Sequence, residues 1–282
     1  EKVSAILAVR EFPEDQYVFF ATAQGMVKKV QLSAFKNVRS QGIKAIALKE
    51  GDYLVGAAQT SGSDDIMLFS NLGKAIRFNE YWEKSGNDEA EDADIETEIS
   101  DDLEDETADN ENALPSGKHG VRPSGRGSGG LRGMRLPADG KIVSLITFAP
   151  EAAQSDLQVL TATANGYGKR TPIADYSRKN KGGQGNIAIN TGERNGDLVA
   201  ATLVGETDDL MLITSGGVLI RTKVEQIRET GRAAAGVRLI NLDEGEQLVS
   251  LERVAEEPED ESVSGEENTG ETNVTTEDNT PQ

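Results

Sequence analysis

The 282 residues carry 49 acidic against 29 basic side chains, a formal charge of −20, and contain no cysteine. Disulfides, zinc–thiolate sites and thiol nucleophiles are therefore excluded, no apolar run approaches the roughly 18 residues of a membrane-spanning helix, and no basic-then-apolar leader opens the chain. The expectation is a soluble cytoplasmic protein with no membrane role, and a chain that begins at Glu1 reads as a piece of a longer one.

Taken in chain order, three pieces recur. Residues 3–6 (Val-Ser-Ala-Ile) read as a short apolar strand. Residues 18–25 form a β-rich strand running into the turn residue Gly25, and a second strand follows through Lys28 and Lys29. Gly42 then opens a third strand over residues 43–48. The same order returns with residues 54–57, with residues 67–73 followed by Arg77, and with the strand after Gly130. It returns again with residues 142–145, with residues 159–166 followed by Lys169 and Arg170, and with the strand after Gly185. A fourth set comprises residues 198–201, residues 211–217 followed by Arg221, and the strand after Gly236. A closing strand over residues 248–251 begins a fifth copy. Glycine suits each tight hairpin turn because those turns need positive φ.

The spacing from the turn glycine to the third-strand glycine is 17, 57, 19 and 19 residues, which identifies an insertion of about 40 residues, 83–125, in the second unit. Residues 83–117 hold 15 acids against one lysine, and residues 252–282 hold 11 acids against one arginine, leaving a body with a charge of +4. Like-charge runs of this kind repel and bury little, so insert (83–125) and tail (256–282) are expected to be disordered. The body, residues 1–255, reads as one all-β domain of about 50-residue, four-stranded units. Such units cannot bury both faces alone, and radial stacking as a propeller solves that. No sustained 3.6-residue period supports a helical solenoid.

The wording of the repeats is narrower than a generic propeller. Phe20-Ala-Thr-Ala-Gln-Gly-Met-Val-Lys-Lys29, Ala164-Asn-Gly-Tyr-Gly-Lys-Arg-Thr171 and Gly216-Gly-Val-Leu-Ile-Arg-Thr222 resemble blades of the DNA gyrase A C-terminal domain family. The resemblance implies a β-pinwheel, normally six-bladed, that wraps double-stranded DNA around a basic perimeter. Two blades and the cleavage core would then lie upstream. It implies an ATP-dependent type II topoisomerase that introduces negative supercoils, with a second gyrase A and with gyrase B as partners in an A2B2 heterotetramer. ATP and magnesium would bind on other domains or on gyrase B, with no cofactor and no catalytic residue in this chain, and the location would be the bacterial cytoplasm, on the nucleoid. The family's signature box, Gln-Arg-Arg-Gly-Gly-Lys-Gly, is missing; Lys179-Asn-Lys-Gly-Gly-Gln-Gly185 is a degenerate relative. None of Tyr17, Tyr53, Tyr81, Tyr167 and Tyr176 resembles the family's cleavage tyrosine. Two alternatives stand beside this reading: the corresponding C-terminal domain of topoisomerase IV, which would serve decatenation, and a protein-interaction propeller with no DNA role.

Phosphate binding needs positive side chains repeated along a surface. The recurrent Lys28, Lys29, Arg77, Lys169, Arg170 and Arg221 are the leading candidates, with solvated strand ends or pairing to a nearby carboxylate as the plain alternative. The loop basics Lys44, Arg132, Arg135, Arg178, Lys179, Lys181, Arg232 and Arg238 form a second set, for which simple turn formation is the alternative. Gly125-Arg-Gly-Ser-Gly-Gly130 fits a dinucleotide pattern but lacks the strand before it and helix after it. The acidic run lacks the residue order of a calcium loop, so no metal site is expected. His119 stands without triad partners, and Asn273-Val-Thr275 carries no implication of secretion.

Overall fold

The computed structural model describes residues 3–37, 39–83 and 120–254. Four hairpins organise it: β1 (Tyr17–Thr22) with β2 (Met26–Gln31), β4 (Asp65–Ser70) with β5 (Lys74–Asn79), β8 (Gln158–Thr163) with β9 (Tyr167–Pro172), and β12 (Asp209–Thr214) with β13 (Leu219–Lys223). Each turns at a glycine of positive φ, Gly25, Gly73, Gly166 and Gly217, at 72° to 81°. In each turn that glycine's N–H donates to the last residue of the first strand at 2.9–3.0 Å.

The remaining strands are β3 (Leu54–Thr60), β6 (Leu131–Arg132), β7 (Ile142–Phe148), β10 (Asn186–Ile187), β11 (Leu198–Val204), β14 (Val237–Arg238) and β15 (Leu248–Val254). The sheets run β3-β1-β2-β6, β10-β5-β4-β7, β11-β8-β9-β14 and β13-β12-β15, with antiparallel pairing throughout. Strand β3 packs on β7, β7 on β11, and β11 on β15. These long strands therefore line the centre, and the two-residue strands β6, β10 and β14 form the perimeter.

This corrects the expected strand membership. A sheet is not one sequence unit. It is the hairpin of one unit completed by the first and third pieces of the next: β3 joins β1, and β6, from a full unit later, joins β2. The strand at 248–254 is accordingly the inner strand of the fourth sheet. The first unit's own outer pieces have no hairpin to join among the described residues. Residues 3–6 form no strand, and Val3 and Ile6 are exposed. Residues 43–48 form none either. Three sheets have the expected four strands, and the fourth has three.

The core lies between sheets. Ile66 and Leu68 face Phe19, Ala21 and Val27 of the first sheet, while their alternating neighbours Met67 and Phe69 face Val159, Ile189 and Leu198 on the other side. Strand β4 is buried at all six positions, as a strand covered on both faces must be, and β12 alternates because only one face is covered.

The boundaries of the insert also move. Residues 84–119, which include His119, and the tail from 255 lie outside the described residues. Residues 120–125 do not belong to the insert: Val121 is buried in the core between the first two sheets, its N–H donates to Glu80 O at 3.1 Å, and Ser124 N–H donates to Lys29 O at 2.9 Å.

Candidate nucleic-acid interface

In the first three hairpins the basic residue four positions after the turn glycine lies within a largely buried strand, and its backbone takes a bond from the following unit. Ser124 N–H donates to Lys29 O, Lys179 N–H to Arg77 O and Thr230 N–H to Arg170 O, at 2.7–2.9 Å. The side chains follow the backbone inward. Lys29 donates to Glu80 O at 2.8 Å and lies 3.7 Å from its carboxylate. Burial lowers the pKa of Lys29 and raises that of Glu80, each opposed by the other's charge. Arg77 donates to Asp65 Oδ2 through Nε at 2.9 Å and to Tyr176 O at 2.9 Å. Arg170 is nearly buried and donates through Nε to Ile227 O at 2.5 Å.

The lysines one position earlier are more enclosed. Lys28 is 1% exposed and its Nζ donates to the carbonyls of Ala45, Arg126 and Ser128 at 2.7–3.0 Å. Lys169 is fully buried and donates to the carbonyls of Gly231, at 2.6 Å, and Arg232. Burial first, and then Arg126 and Lys44 for Lys28 or Arg232 for Lys169, lower both from 10.5 to about 8. The expectation of phosphate contact is thus overturned for Lys28, Lys29, Arg77 and Lys169, and Arg170 is largely committed as well. They recur because every hairpin must satisfy the loop carbonyls of the unit that completes it, where an unpaired buried acceptor is costly. The loop of Gly125–Gly130 is explained in the same way: it turns carbonyls onto an ammonium, whereas a phosphate cradle presents N–H groups. Arg221 is the exception, 68% exposed and paired with Asp209.

The loop basics are placed differently. Lys44, Arg132 and Arg238 hold one repeat position, the second after the third-strand glycine, with Ile187 as the fourth member, and all four are exposed. Arg132 and Arg238 sit on the perimeter strands β6 and β14. The side chains of Lys44 and Arg132 make no hydrogen bond or ion pair with any described residue. Arg178 instead turns inward, 2.9 Å from Asp65, so one buried carboxylate receives two guanidiniums. Arg135, Lys179 and Lys181 are half-buried and have partners, and burial lowers Lys181. Arg232 lies over the Tyr176 ring, 6.0 Å from its centroid, beside an open groove of about 900 Å³ that Lys74 and Ile187 also line.

Sequence reasoning missed Arg194. Its guanidinium lies 4.4 Å from the centroid of the Tyr167 ring, which Arg238 approaches to 5.3 Å. No other unit has a basic residue at the position equivalent to Arg194, so recurrence carries no signal for it. Among the described residues no group of three or more His, Cys, Asp or Glu is arranged to hold a metal ion.

The family described as DNA gyrase C-terminal domain, beta-propeller, matches residues 16–61, 64–81, 119–149, 158–204 and 208–255. Over 257 residues the chain is 95% identical to the DNA gyrase A protein of Neisseria gonorrhoeae, covering 91% of this chain and 28% of that protein. It is 45% identical to the gyrase A protein of Aeromonas salmonicida over 272 residues, 93% of this chain and 29% of the relative. The chain therefore spans under a third of the length of these relatives. A solved structure of the DNA gyrase A C-terminal domain superposes with a TM-score of 0.66 at 22% identity, covering 89% of this chain and 70% of that one. A topoisomerase IV C-terminal domain superposes equally well, at 0.68 and 21% identity, covering 87% and 64%. Fold alone does not separate these two, but the family match covers most of the body: the chain belongs to the DNA gyrase C-terminal domain, beta-propeller family.

Proposed function

We propose that this chain binds duplex DNA along its perimeter and bends it around the sheets, as the wrapping part of a type II topoisomerase of the gyrase A kind. The observation that carries this reading is the set of exposed basic side chains at one repeat position, Arg132 and Arg238 on the perimeter strands and Lys44 in the first unit's equivalent segment. Positive groups spaced along a curved edge suit sequence-independent phosphate contact, and contact area offsets the elastic cost of bending. The rest of the activity belongs to regions beyond this chain: strand cleavage, ATP hydrolysis with magnesium, and assembly with gyrase B and a second gyrase A. The wrapped segment would be handed to that core, and cytoplasmic action on the nucleoid follows from the same reading. Sequence identity to gyrase A proteins favours supercoiling over decatenation.

The test is duplex affinity as a function of salt. A log–log slope of several units is expected, and the triple variant Lys44→Gln/Arg132→Gln/Arg238→Gln should lower it by about 0.9 for each phosphate no longer held. A wild-type slope near zero would favour a protein-interaction propeller.

A further inference from the structure

Several arginines in this fold are paired with carboxylates. Arg77 and Arg178 share Asp65, Arg221 is paired with Asp209, and Arg253 lies 3.3 Å from Asp208. Arg194 and Arg238 are different. Both are exposed, neither meets a carboxylate among the described residues, and both guanidiniums lie within 5.3 Å of the centre of one ring, Tyr167. Two like charges held together repel, so the arrangement needs something to hold it and gains from an anion between them.

What holds it is visible. Arg238 donates to the Tyr167 hydroxyl at 2.8 Å and to Asn241 Oδ1 at 3.1 Å, and its strand pairs directly with Tyr167. The loop carrying Arg194 is pinned by the Asn165 amide, which donates to the carbonyls of Glu193 and Arg194 at 3.0 and 3.2 Å. Asn195, 3% exposed, donates to the carbonyls of Asn190 and Ala235 at 2.7 and 2.8 Å. Ala235 leads directly into the Arg238 strand, so this one buried amide fixes the loop of one arginine against the strand of the other. The aromatic face itself attracts guanidinium charge. Hydrogen bonding from Arg238, then Arg194, lowers the Tyr167 pKa, as a positive environment should.

We propose that Arg194, Tyr167 and Arg238 form a preorganised clamp for a single phosphodiester of bound duplex, an inference that rests on the DNA-binding reading above. Two planar forks match the two non-bridging oxygens of one phosphate. The repeat does not require the feature. The positions equivalent to Tyr167 are Met26, Lys74 and Val218, and those equivalent to Arg194 are Gly51, Asp139 and Gly245. The clamp therefore marks the third sheet as a point where the DNA path is fixed, while the first sheet offers the single cation Arg132 and the second has Ile187 at that position.

The experiment measures duplex affinity against salt for the wild type, Arg194→Gln, Arg238→Gln, the double variant, Tyr167→Phe, Tyr167→Leu and Lys223→Gln. Each single arginine variant should weaken binding several-fold, and the double variant should lower the log–log slope by about 0.9, the value for one phosphate. Tyr167→Leu should weaken binding with no charge removed, Tyr167→Phe should retain most of it, and Lys223→Gln, at an exposed lysine paired with Glu225, should match the wild type. In parallel, the Nε resonances of Arg194 and Arg238 should shift together on adding duplex, whereas inorganic phosphate alone should move them only weakly. A double-variant slope decrease of about 1.8, twice the single-phosphate value, would assign the two arginines to separate phosphates and overturn the clamp. So would unchanged affinity in the double variant while the wild type keeps a steep slope. A flat wild-type slope would instead bring down the DNA-binding reading, and the clamp with it.

Discussion

The second and fourth sheets are built from the same residues and come out differently. Both place Ile and Arg three and four positions after the turn glycine, and both set an Asp twelve residues before that Arg. In the second sheet Ile76 is 1% and Arg77 8% exposed; in the fourth, Ile220 is 36% and Arg221 68% exposed. The hairpins are not the cause. Strand β10 and the loop through Tyr176 and Arg178 close over β5, whereas among the described residues nothing closes over β13. Burial at a repeat position is thus decided by the arrival of the next unit, and the same Arg–Asp pair is an interior element in one sheet and a surface one in the other.

The sharpest test of that contrast is the acid. Asp65→Ala leaves Arg77 and Arg178 without their carboxylate in the interior and should cost about 3–5 kcal/mol. Asp209→Ala takes the partner from an exposed arginine and should cost about 1 kcal/mol or less. Urea midpoints of the two variants measure the difference, and equal losses would break the comparison. Glycine offers a second test. Gly236 and Gly217 share φ = +81°, but a Cβ on Gly236 would lie 2.4 Å from Gly168 O, whereas one on Gly217 would meet nothing within 4 Å. Gly217→Ala should show only backbone strain, about 1–2 kcal/mol, and Gly236→Ala distinctly more.

Lys169→Met should be next in size. It leaves the carbonyls of Gly231 and Arg232 without a donor, at about 1–3 kcal/mol, while Ile220→Met, one sheet on, should be nearly neutral by thermal melting. The last test is one of pH. Lys28 and Lys169 titrate at about 8 in the folded chain against 10.5. Between those values the unfolded chain binds more protons, so the contribution of both lysines to stability rises with pH across that window. The Lys28→Met/Lys169→Met variant should show a flatter rise in denaturant midpoint from about pH 8 to about pH 10; an unchanged rise would show that both lysines keep ordinary values.

The hairpins, the period and the site of the insertion are legible in the sequence because turn glycines and strand composition are local signals. Strand exchange is not, since residues 131–132 read as a strand without naming β2 as its partner. The same blindness misplaces the recurrent basic residues. Recurrence at Lys29, Arg77 and Arg170 suggests a surface row, when it reflects a repeated interior demand for donors. The set of Lys44, Arg132 and Arg238 is visible in the repeat, but nothing in the sequence marks it as more exposed than the first. Arg194 becomes visible only once folding has brought it to Tyr167.

Because the first three sheets borrow their two outer strands from the unit that follows, the chain cannot finish its parts in the order in which a ribosome delivers them. The first hairpin is complete at Gln31, yet the strand that seals it begins at Leu131, beyond the whole of the insertion. For that interval its edge stands open during synthesis, and a nascent chain of this kind would be most exposed to wrong pairing while residues 84–119 are being made.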